Sequence, residues 1–201
     1  MFQEWSPIPR IFEGQTVACI ASGESLTRED CERCRELKTI AVNDAYLFAM
    51  FADVLYAADF DWWKHHKGAP EFAGLKVTHD PQAAQRYGLK HITVRSSNAG
   101  AELKGVSLNP AHVHSGGNSG FQAFNLAVLF GAKRILLLGY DMQGSHFFGE
   151  HPGAMRKTQD YRNWIKRFAT VPAMLPDVEV VNCTRNTALK CFPQATLEAV
   201  L

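Results

Sequence analysis

The sequence predicts a single Rossmann-like α/β domain whose mostly parallel sheet carries helices on both faces. Between residues 15 and 66, an apolar strand-like run, a polar turn and a helix-like segment follow one another three times. This alternation is typical of parallel strands joined by crossover helices. A chain of 201 residues, 46% of them hydrophobic, suits one domain with a sizeable core. No repeat or linker divides the chain, so we predict one domain over residues 1–201.

The N-terminal residues 1–14 are predicted to form an extended arm, because Pro7 and Pro9 stand among apolar side chains. Residues 27–30 resemble a capping box, with Asp30 in place of the usual Glu or Gln, and mark the start of the first helix. The side chains expected to hold the arm are Trp5, Ile8, Ile11 and Phe12. The first three strands are predicted at residues 15–21, 38–42 and 54–57, and their helices at 27–37, 45–51 and 61–66.

Between residues 75 and 113 the regular alternation gives way to a loop. Strands are predicted at residues 75–78 and 91–95, with a helical turn over 81–87 between them. Residues 96–113 contain several Asn, Gly and Pro residues, which favour a loop with at most one short strand.

Residues 114–141 show the clearest pattern of secondary structure, because their sequence predicts a loop, a helix, a turn and a strand in succession. A largely apolar helix is predicted over 119–130, and Gly131 follows it where a helix C-cap needs a residue that tolerates positive φ. The apolar run 135–138 has the composition of a strand covered on both faces. It ends just before Asp141, at the sheet edge where open α/β folds bind ligands.

The C-terminal part begins with a long polar segment. Residues 142–155 are rich in glycine and contain His146 and His151. A loop of this length in a compact domain is usually functional, so we predict a lid. Beyond it we predict an amphipathic helix over 156–169, a last strand over 178–182 and a tail over 183–201 with a final helical turn.

Polar residues follow several predicted strands and should meet at one edge of the sheet. Such an edge suits a nucleotide: backbone N–H groups for phosphate, amides for base and ribose, and carboxylates for Mg²⁺ or a hydroxyl proton. Taken alone, each residue is also explained as a turn or cap residue, as Ser119 is by a helix N-cap. The predicted nucleotide-binding residues are Ser22, Gly23, Glu24, Ser25, Asn43, Asp59, Gly116, Gly117, Asn118 and Ser119.

The predicted catalytic residues are His146, His151 and Asp141. A histidine on a mobile loop is a frequent general base, because its ordinary pKa lies close to neutral pH. The sequence does not distinguish His146 from His151 as that base. His65 and His66 follow two tryptophans and are predicted to be partly buried rather than catalytic.

The remaining histidines and the cysteines indicate no metal site. His112 and His114 share one side of an extended segment but lack a third ligand, which favours a binding or structural role. Cys31 and Cys34 have CxxC spacing within a helical pattern, and no second pair follows them. We therefore predict no metal site of protein ligands, while Mg²⁺ bound together with a nucleotide stays possible.

Composition excludes several classes of protein. The chain has 21 Lys and Arg against 20 Asp and Glu, which argues against broad nonspecific nucleic-acid binding. No run approaches the roughly 20 apolar residues of a membrane helix, so we predict no membrane span. The segment MFQEWSPIPR lacks the pattern of a secretory signal, and five cysteines fit a reducing cytoplasm. The sequence leaves the choice between a monomer and a homo-oligomer open.

Four motifs resemble, in the same order, those of a known group of proteins. They are ASGESL, AVNDAY and ADVLYAADFDWW around the first three strands, and GGNSGFQAFNLAVLFGAKRILLLGYDM near the middle. Over most of the chain they resemble bacteriophage proteins of unassigned function, and the ending NCTRNTALKCFP extends this similarity. More distantly, they are similar to the MptE-like 6-hydroxymethylpterin diphosphokinase family and to bacterial sialyltransferases of Rossmann-type fold. A phage origin would imply the host cytoplasm.

The resemblance to the sialyltransferases implies a site for a CMP donor. Their base, a histidine beyond the strand that ends in GxD, matches His146 or His151. Glu24 departs from the family pattern, which has Pro there, and its carboxylate would repel phosphate. The diphosphokinases instead imply Asp59 and Asp141 acting with Mg²⁺ and ATP. By motif, the donor site would comprise Gly23, Glu24, Ser25, Asn43, Gly117, Asn118 and Ser119.

We therefore expect a nucleotide-binding group-transfer enzyme, and first of all a glycosyltransferase that uses a CMP- or UDP-sugar. One alternative is a Mg²⁺-dependent pyrophosphokinase or phosphohydrolase. The other is a non-catalytic phage protein that binds a nucleotide or has a structural role. The acceptor is not specified by the sequence.

Overall fold

The computed structural model describes residues 3–96, 104–153 and 158–201. Within them an eight-stranded sheet, parallel throughout, is flanked by helices, which confirms the predicted α/β class. Its strands are β1 (Gln3–Glu4), β2 (Thr16–Ile20), β3 (Lys38–Val42), β4 (Val54–Tyr56), β5 (Leu75–Thr78), β6 (Lys90–His91), β9 (Arg134–Leu138) and β10 (Glu179–Asn182). A separate pair consists of β7 (Val94–Arg95) and β8 (Val113–His114). The helices are α1 (Arg28–Arg33), α2 (Phe60–His65), α3 (Pro81–Tyr87), α4 (Ser119–Leu129) and α5 (Tyr161–Phe168).

Both faces of the sheet are covered, as the apolar strand runs predicted. Along β2, Val17 and Cys19 belong to one core, and Ala18 belongs to the other. The first core contains the apolar side chains of α4 and Phe168 of α5. The second contains buried residues of α1, α2 and α3. Because successive side chains of a strand point to opposite faces, a strand buried on both sides must be apolar at nearly every position.

The order of the strands creates a topological switch point between β2 and β9. The sheet runs β1-β6-β5-β4-β3-β2-β9-β10. From β2 the chain therefore builds outward through β3 and β4 in one direction, and later adds β9 and β10 on the other side. Crossovers on the two sides lie on opposite faces, so a crevice opens between the carboxyl ends of β2 and β9.

Local capping signals account for the ends of several helices. The hydroxyl of Thr27 accepts a hydrogen bond from the backbone N–H of Asp30 at 3.1 Å and starts α1. The carboxylate of Asp80 does the same for Ala83 at the start of α3. Gly131 follows α4 with a φ of 92°, the left-handed conformation that glycine adopts without strain.

The predicted strand over 91–95 is wrong as a single element. Its first part belongs to β6, in which Lys90 and His91 pair with β5. Its second part is β7, which leaves the main sheet and pairs with Val113 and His114 of β8. The short strand expected within residues 96–113 is thereby found at its end, while residues 97–103 lie outside the described residues. Apolar periodicity does not reveal this division, because it depends on distant pairing partners.

Three helical predictions differ from the structure in their limits. The helix expected over 27–37 ends at Arg33, and residues 34–37 continue as tight turns with i to i+3 hydrogen bonds. The helix expected over 45–51 is a 3₁₀ turn over Asn43–Leu47. The helix expected from residue 156 begins at Tyr161, and residues 154–157 lie outside the described residues.

The N-terminal arm packs on the domain largely as expected. Ile8 and Phe12 are buried and Trp5 packs against the same core, but Ile11 is 36% exposed. Along the described chain, no helix is both long and apolar enough to cross a membrane.

We expect Leu137→Ala to lower the free energy of unfolding by about 2–5 kcal/mol, because it opens a cavity under a central strand. Leu137 of β9 is fully buried, whereas Leu108 is 60% exposed. The matched control Leu108→Ala should change stability by no more than about 0.5 kcal/mol. Urea denaturation of both variants measures the difference. Equal losses would contradict the two-sided burial of β9.

Candidate functional site

A cavity of about 490 Å³ lies at the switch point. Its wall is formed by the carboxyl ends of β2, β3, β4 and β9, the starts of α2, α4 and α5 with the segments before α4 and α5, and part of the 142–153 loop. The volume lies within the range of sites that hold small-molecule ligands. The cavity therefore occupies the position at which open α/β sheets bind ligands.

Glycines let the ends of β2 and β9 meet at the floor of the cavity. The backbone N–H of Gly23 donates to the carbonyl of Gly139 at 2.9 Å. A Cβ atom on Gly23 would collide with the carboxylate of Asp141 and lie 2.6 Å from the Gly139 carbonyl. Gly139 has a φ of 68°, and a Cβ there would collide with the carbonyl of Ala21. No larger residue fits either position without moving a strand end.

Asp141 is anchored to the turn after β2. Its carboxylate accepts hydrogen bonds from the backbone N–H of Ser25 at 2.8 Å and from the Ser25 hydroxyl at 2.9 Å. The side chain is only 4% exposed. Burial raises the pKa of Asp141 above its ordinary value, although both hydrogen bonds from Ser25 oppose the shift. Ser25 therefore holds the carboxyl group of Asp141 and does not line the cavity.

Glu24 also turns away from the cavity. Its exposed carboxylate accepts a hydrogen bond of 3.4 Å from the backbone N–H of Ser145 and lies close to Gly144. Glu24 is not among the residues that line the cavity. This geometry would reduce the repulsion, expected from the sequence, between the Glu24 carboxylate and a phosphate in the cavity.

The small-residue loop before α4 serves both the helix and the cavity. Asn118, not Ser119, is the N-cap, and its side-chain oxygen accepts from the backbone N–H of Phe121 at 2.8 Å. Gly116 packs under the ring of Phe121, where a Cβ atom would collide. Gly117, Asn118 and Ser119 line the cavity, and the first turn of α4 leaves backbone N–H groups at its edge.

The 142–153 loop is folded onto the turn after β2. Its Phe147 donates a backbone hydrogen bond to the carbonyl of Ser22 at 3.2 Å, and His146 forms an antiparallel bridge with Gly23. The ring of Phe147 stacks on Phe48 with centroids 4.2 Å apart. These contacts place the described part of the predicted lid over the floor of the cavity. Residues 154 and 155 lie outside the described residues.

His146 and His151 lie side by side in the cavity wall. Their ring centroids are 5.0 Å apart. Burial lowers the pKa of both imidazoles below the ordinary value, which favours the neutral form of each ring. A neutral imidazole accepts a proton, which is what a general base requires.

Asp44 is one of the polar residues that follow the predicted strands, but the buried network around it was not predicted from the sequence. Asp44 is 8% exposed and accepts a hydrogen bond of 2.8 Å from the indole N–H of Trp62. Its other oxygen lies 3.2 Å from Nε2 of His66, whose Nδ1 lies 3.0 Å from the Tyr46 hydroxyl. Burial would raise the pKa of Asp44, but the bonds from His66 and Trp62 lower it overall.

Two features of the sequence contain part of this network. Asp44 follows β3 directly, at the same sheet edge as the predicted site. Trp62 and His66 stand four residues apart, which brings both side chains to one face of a helix, and their rings stack at 4.1 Å. Their contact with Asp44 depends on how α2 packs against the end of β3, which no local pattern reveals.

The start of α2 adds two acidic side chains to the cavity wall. Asp59 and Asp61, at the start of α2, line the cavity together with His79, whose pKa is lowered chiefly by burial.

Asn43 and Met142, which follow β3 and β9, have φ angles of 50° and 52°. Left-handed conformations of residues other than glycine concentrate at functional sites, where surrounding contacts hold them in place.

The structure brings most of the predicted site residues together. Glu24, Ser25 and Gly116 lie outside the lining and support neighbouring segments. The predicted residues that line the cavity are Ser22, Gly23, Asn43, Asp59, Gly117, Asn118, Ser119, Asp141, His146 and His151. Their roles in binding and catalysis stay predictions.

The other titratable residues singled out in the sequence lie elsewhere. His112 and His114 stack at 5.8 Å outside the cavity, and Nδ1 of His114 lies 3.0 Å from the carbonyl of Gly105. Cys31 and Cys34 are buried, and burial raises the pKa of each thiol to about 12. In the described ranges, no three His, Cys, Asp or Glu side chains are grouped so as to hold a metal ion.

We expect Asp141→Asn to raise the melting temperature at neutral pH. A pKa raised by folding means that stability is complete below the ordinary pKa of aspartate, about 3.9, and is lost as the pH rises through the folded-state value. Asparagine keeps a neutral group at every pH. Melting curves at pH 7 and pH 3 should show the gain only at pH 7. A lower melting temperature at pH 7 would contradict the shift assigned to Asp141.

Comparisons with known proteins identify no relative of this chain. The chain matches no protein-family model, no curated protein and no solved structure at a significant level. The resemblance of its motifs to phage proteins, diphosphokinases and sialyltransferases therefore stays an expectation. Function has to be argued from the cavity itself.

Proposed function

We propose that the protein binds a nucleotide in the switch-point cavity and transfers a glycosyl group from a nucleotide sugar to a hydroxyl acceptor. The observation that carries this proposal is that two turns of small residues and two adjacent histidines line one cavity. Ser22 and Gly23 form one turn, and residues 117–120 form the other. Such turns suit phosphate oxygens, and the histidines suit an acceptor proton.

The phosphate end would lie at the start of α4. This helix has eleven residues, and its first N–H groups and dipole favour an anion. The guanidinium of Arg167 adds positive charge nearby, since a Cβ atom on Gly117 would collide with it. Asn43, at the end of β3, lines the same cavity and would contact the ribose or the base.

The chemical step would be a displacement at the anomeric carbon of the donor. The acceptor oxygen forms a bond to that carbon as the bond between the carbon and the phosphate oxygen breaks. The nucleotide leaves with the electron pair, and the acceptor proton passes to a neutral histidine of the 142–153 loop. Asp141, predicted as a third catalytic group, would keep the turn after β2 in register through Ser25.

A Mg²⁺-dependent pyrophosphokinase or phosphohydrolase is the second candidate, and the charges of the cavity favour it. Among the described residues that line the cavity, Asp59, Asp61 and Asp141 carry carboxyl groups and none is Lys or Arg. Mg²⁺ commonly uses one or two carboxylates together with substrate phosphates. A non-catalytic phage protein that binds nucleotide is the third candidate.

A thermal-shift panel separates these candidates. CMP, CDP, UDP, GDP, ADP and ATP are each tested with and without Mg²⁺, because a ligand at ~100 times its Kd adds about 2.7 kcal/mol of stability. A shift with a cytidine or uridine nucleotide without metal supports glycosyl transfer. A shift with ATP only in the presence of Mg²⁺ supports the second candidate. No shift in any condition contradicts nucleotide binding.

We expect Ser119→Glu to abolish the nucleotide-induced shift without destabilising the free protein. The added carboxylate would repel a phosphate at the first turn of α4. The free protein should not be destabilised, because the helix dipole stabilises a negative side chain there by about 0.3–1 kcal/mol. Ser119→Gln is the matched neutral control and should keep the shift. Equal shifts for the two variants would contradict phosphate binding at this helix.

We expect the double variant His146→Gln/His151→Gln to keep nucleotide affinity and to lose turnover by about 10²- to 10⁴-fold, as expected when a general base is removed. Calorimetry measures the affinity, and release of nucleotide from a CMP- or UDP-sugar measures turnover. His114→Gln, outside the cavity, is the matched control. Unchanged turnover in the double variant would favour the metal-dependent candidate, and a lack of turnover in the parent protein would favour the binding protein.

A further inference from the structure

The carboxylate of Asp44 connects the end of β3 with two other segments of the cavity wall. From α2 it accepts the indole N–H of Trp62 at 2.8 Å, and the adjoining His66 places Nε2 3.2 Å from its second oxygen. From the 142–153 loop, Nδ1 of His151 lies 3.9 Å from the oxygen that Trp62 contacts. Because three segments converge on one buried carboxylate, its orientation is fixed before any ligand binds.

The two loop histidines have different surroundings. The backbone of His146 pairs with Gly23, and burial lowers the pKa of its ring, although Asp44 and a hydrogen bond with the backbone of Ser22 oppose the shift. His151 makes no such contact with the turn after β2 and instead directs Nδ1 toward Asp44. Its side chain is 15% exposed and lines the cavity. With Nδ1 on the side of Asp44, Nε2 is the ring atom that is left to accept a proton from the cavity.

We propose that Asp44 is a positioning residue that orients His151, and that His151 is the general base of the transfer reaction. This inference rests on the proposed group transfer. The carboxylate holds the Nδ1–H tautomer and stabilises the imidazolium that forms when Nε2 takes the acceptor proton. An aspartate placed behind a histidine has this role in hydrolase triads. The separation of 3.9 Å is longer than a hydrogen bond, and such contacts often shorten when substrate binds.

His66 and Tyr46 extend the arrangement away from the cavity. His66 contacts the second oxygen of Asp44 and stacks on Trp62, which contacts the first, so both oxygens of the carboxylate are held. The hydroxyl of Tyr46 lies against the remaining nitrogen of the His66 ring. Rotation of Asp44 away from His151 would break these contacts.

The titration of His151 depends on several groups around it. Burial lowers its pKa most, Asp44 and Asp59 raise it, and His66 and His65 lower it. The ring of His146 packs against it at 5.0 Å. Because Asp44 raises the pKa of His151, replacement of Asp44 should lower that pKa. A change in packing alone would not fix the direction of the shift.

We expect Asp44→Asn to lower the pKa of His151 by about one unit, the shift typical for loss of an opposite charge at this distance. The pKa is read from the imidazole proton resonances of the free full-length protein, assigned with His151→Gln. Asp53→Asn is the matched control, because Asp53 pairs with Lys38 at the opposite end of the strands. His66→Gln keeps the carboxylate and should raise the pKa of His151, so the contact remains testable if Asp44→Asn fails to fold.

Turnover provides the second measurement, with UDP-glucose and CMP-N-acetylneuraminate as donors and nucleotide release as the signal. Asp44→Asn and His151→Gln should each reduce turnover by about 10²-fold while donor affinity is kept, and the double variant should lose no more. In Asp44→Asn the acidic limb of the pH profile of turnover should move to lower pH, because His151 then becomes neutral at a lower pH. His114→Gln, outside the cavity, should retain the turnover of the parent protein.

An unchanged His151 titration in Asp44→Asn, or loss of turnover in His146→Gln with retention in His151→Gln, would overturn the inference. Failure of every donor to bind would instead overturn the proposed function, and the titration would still report whether Asp44 acts on His151. The two failures are therefore distinguishable.

Discussion

The close approach of the ends of β2 and β9 is the constraint on which the rest of the site depends. A hydrogen bond of 2.9 Å between Gly23 and Gly139 joins the two strand ends where side chains would collide. This approach allows Asp141 to hold Ser25, and the bridge between Gly23 and His146 then carries the 142–153 loop across the same edge. A small distance between two backbones thus determines where the turn, the carboxyl and the loop lie.

Two buried carboxyl groups of this edge are shifted in opposite directions by their surroundings. Asp141 has two hydrogen bonds from Ser25, but burial outweighs them and its pKa is raised. Asp44 is also buried, yet His66 and Trp62 stabilise its charge and its pKa is lowered. Shifted titrations in a cleft mark functional sites, and carboxyls with opposite shifts have different tasks. Here Asp44 faces a loop histidine, and Asp141 stabilises a turn.

Several small and polar residues of the motifs have structural tasks beside the cavity. Glu24 accepts from the 142–153 loop, and Gly116 makes room for the ring of Phe121. Asn118 caps α4 and lines the cavity at once. A ligand-binding turn needs such supports, because loop backbone holds its N–H groups in place only when neighbouring side chains fix it. Motif residues therefore divide into those that face a ligand and those that hold its neighbours.

The α/β class, most strands and the sheet edge that carries the polar residues could be predicted from the amino-acid sequence, because these follow from local periodicity, capping and the shared direction of parallel strands. The limits of α3 and β3 were predictable for this reason. Pairing and packing between distant segments were needed to show that residues 91–95 divide between two sheets and that Glu24 contacts the 142–153 loop. Only the tertiary structure brought Asp44, His66 and His151 together, because contacts between segments far apart in the chain depend on packing.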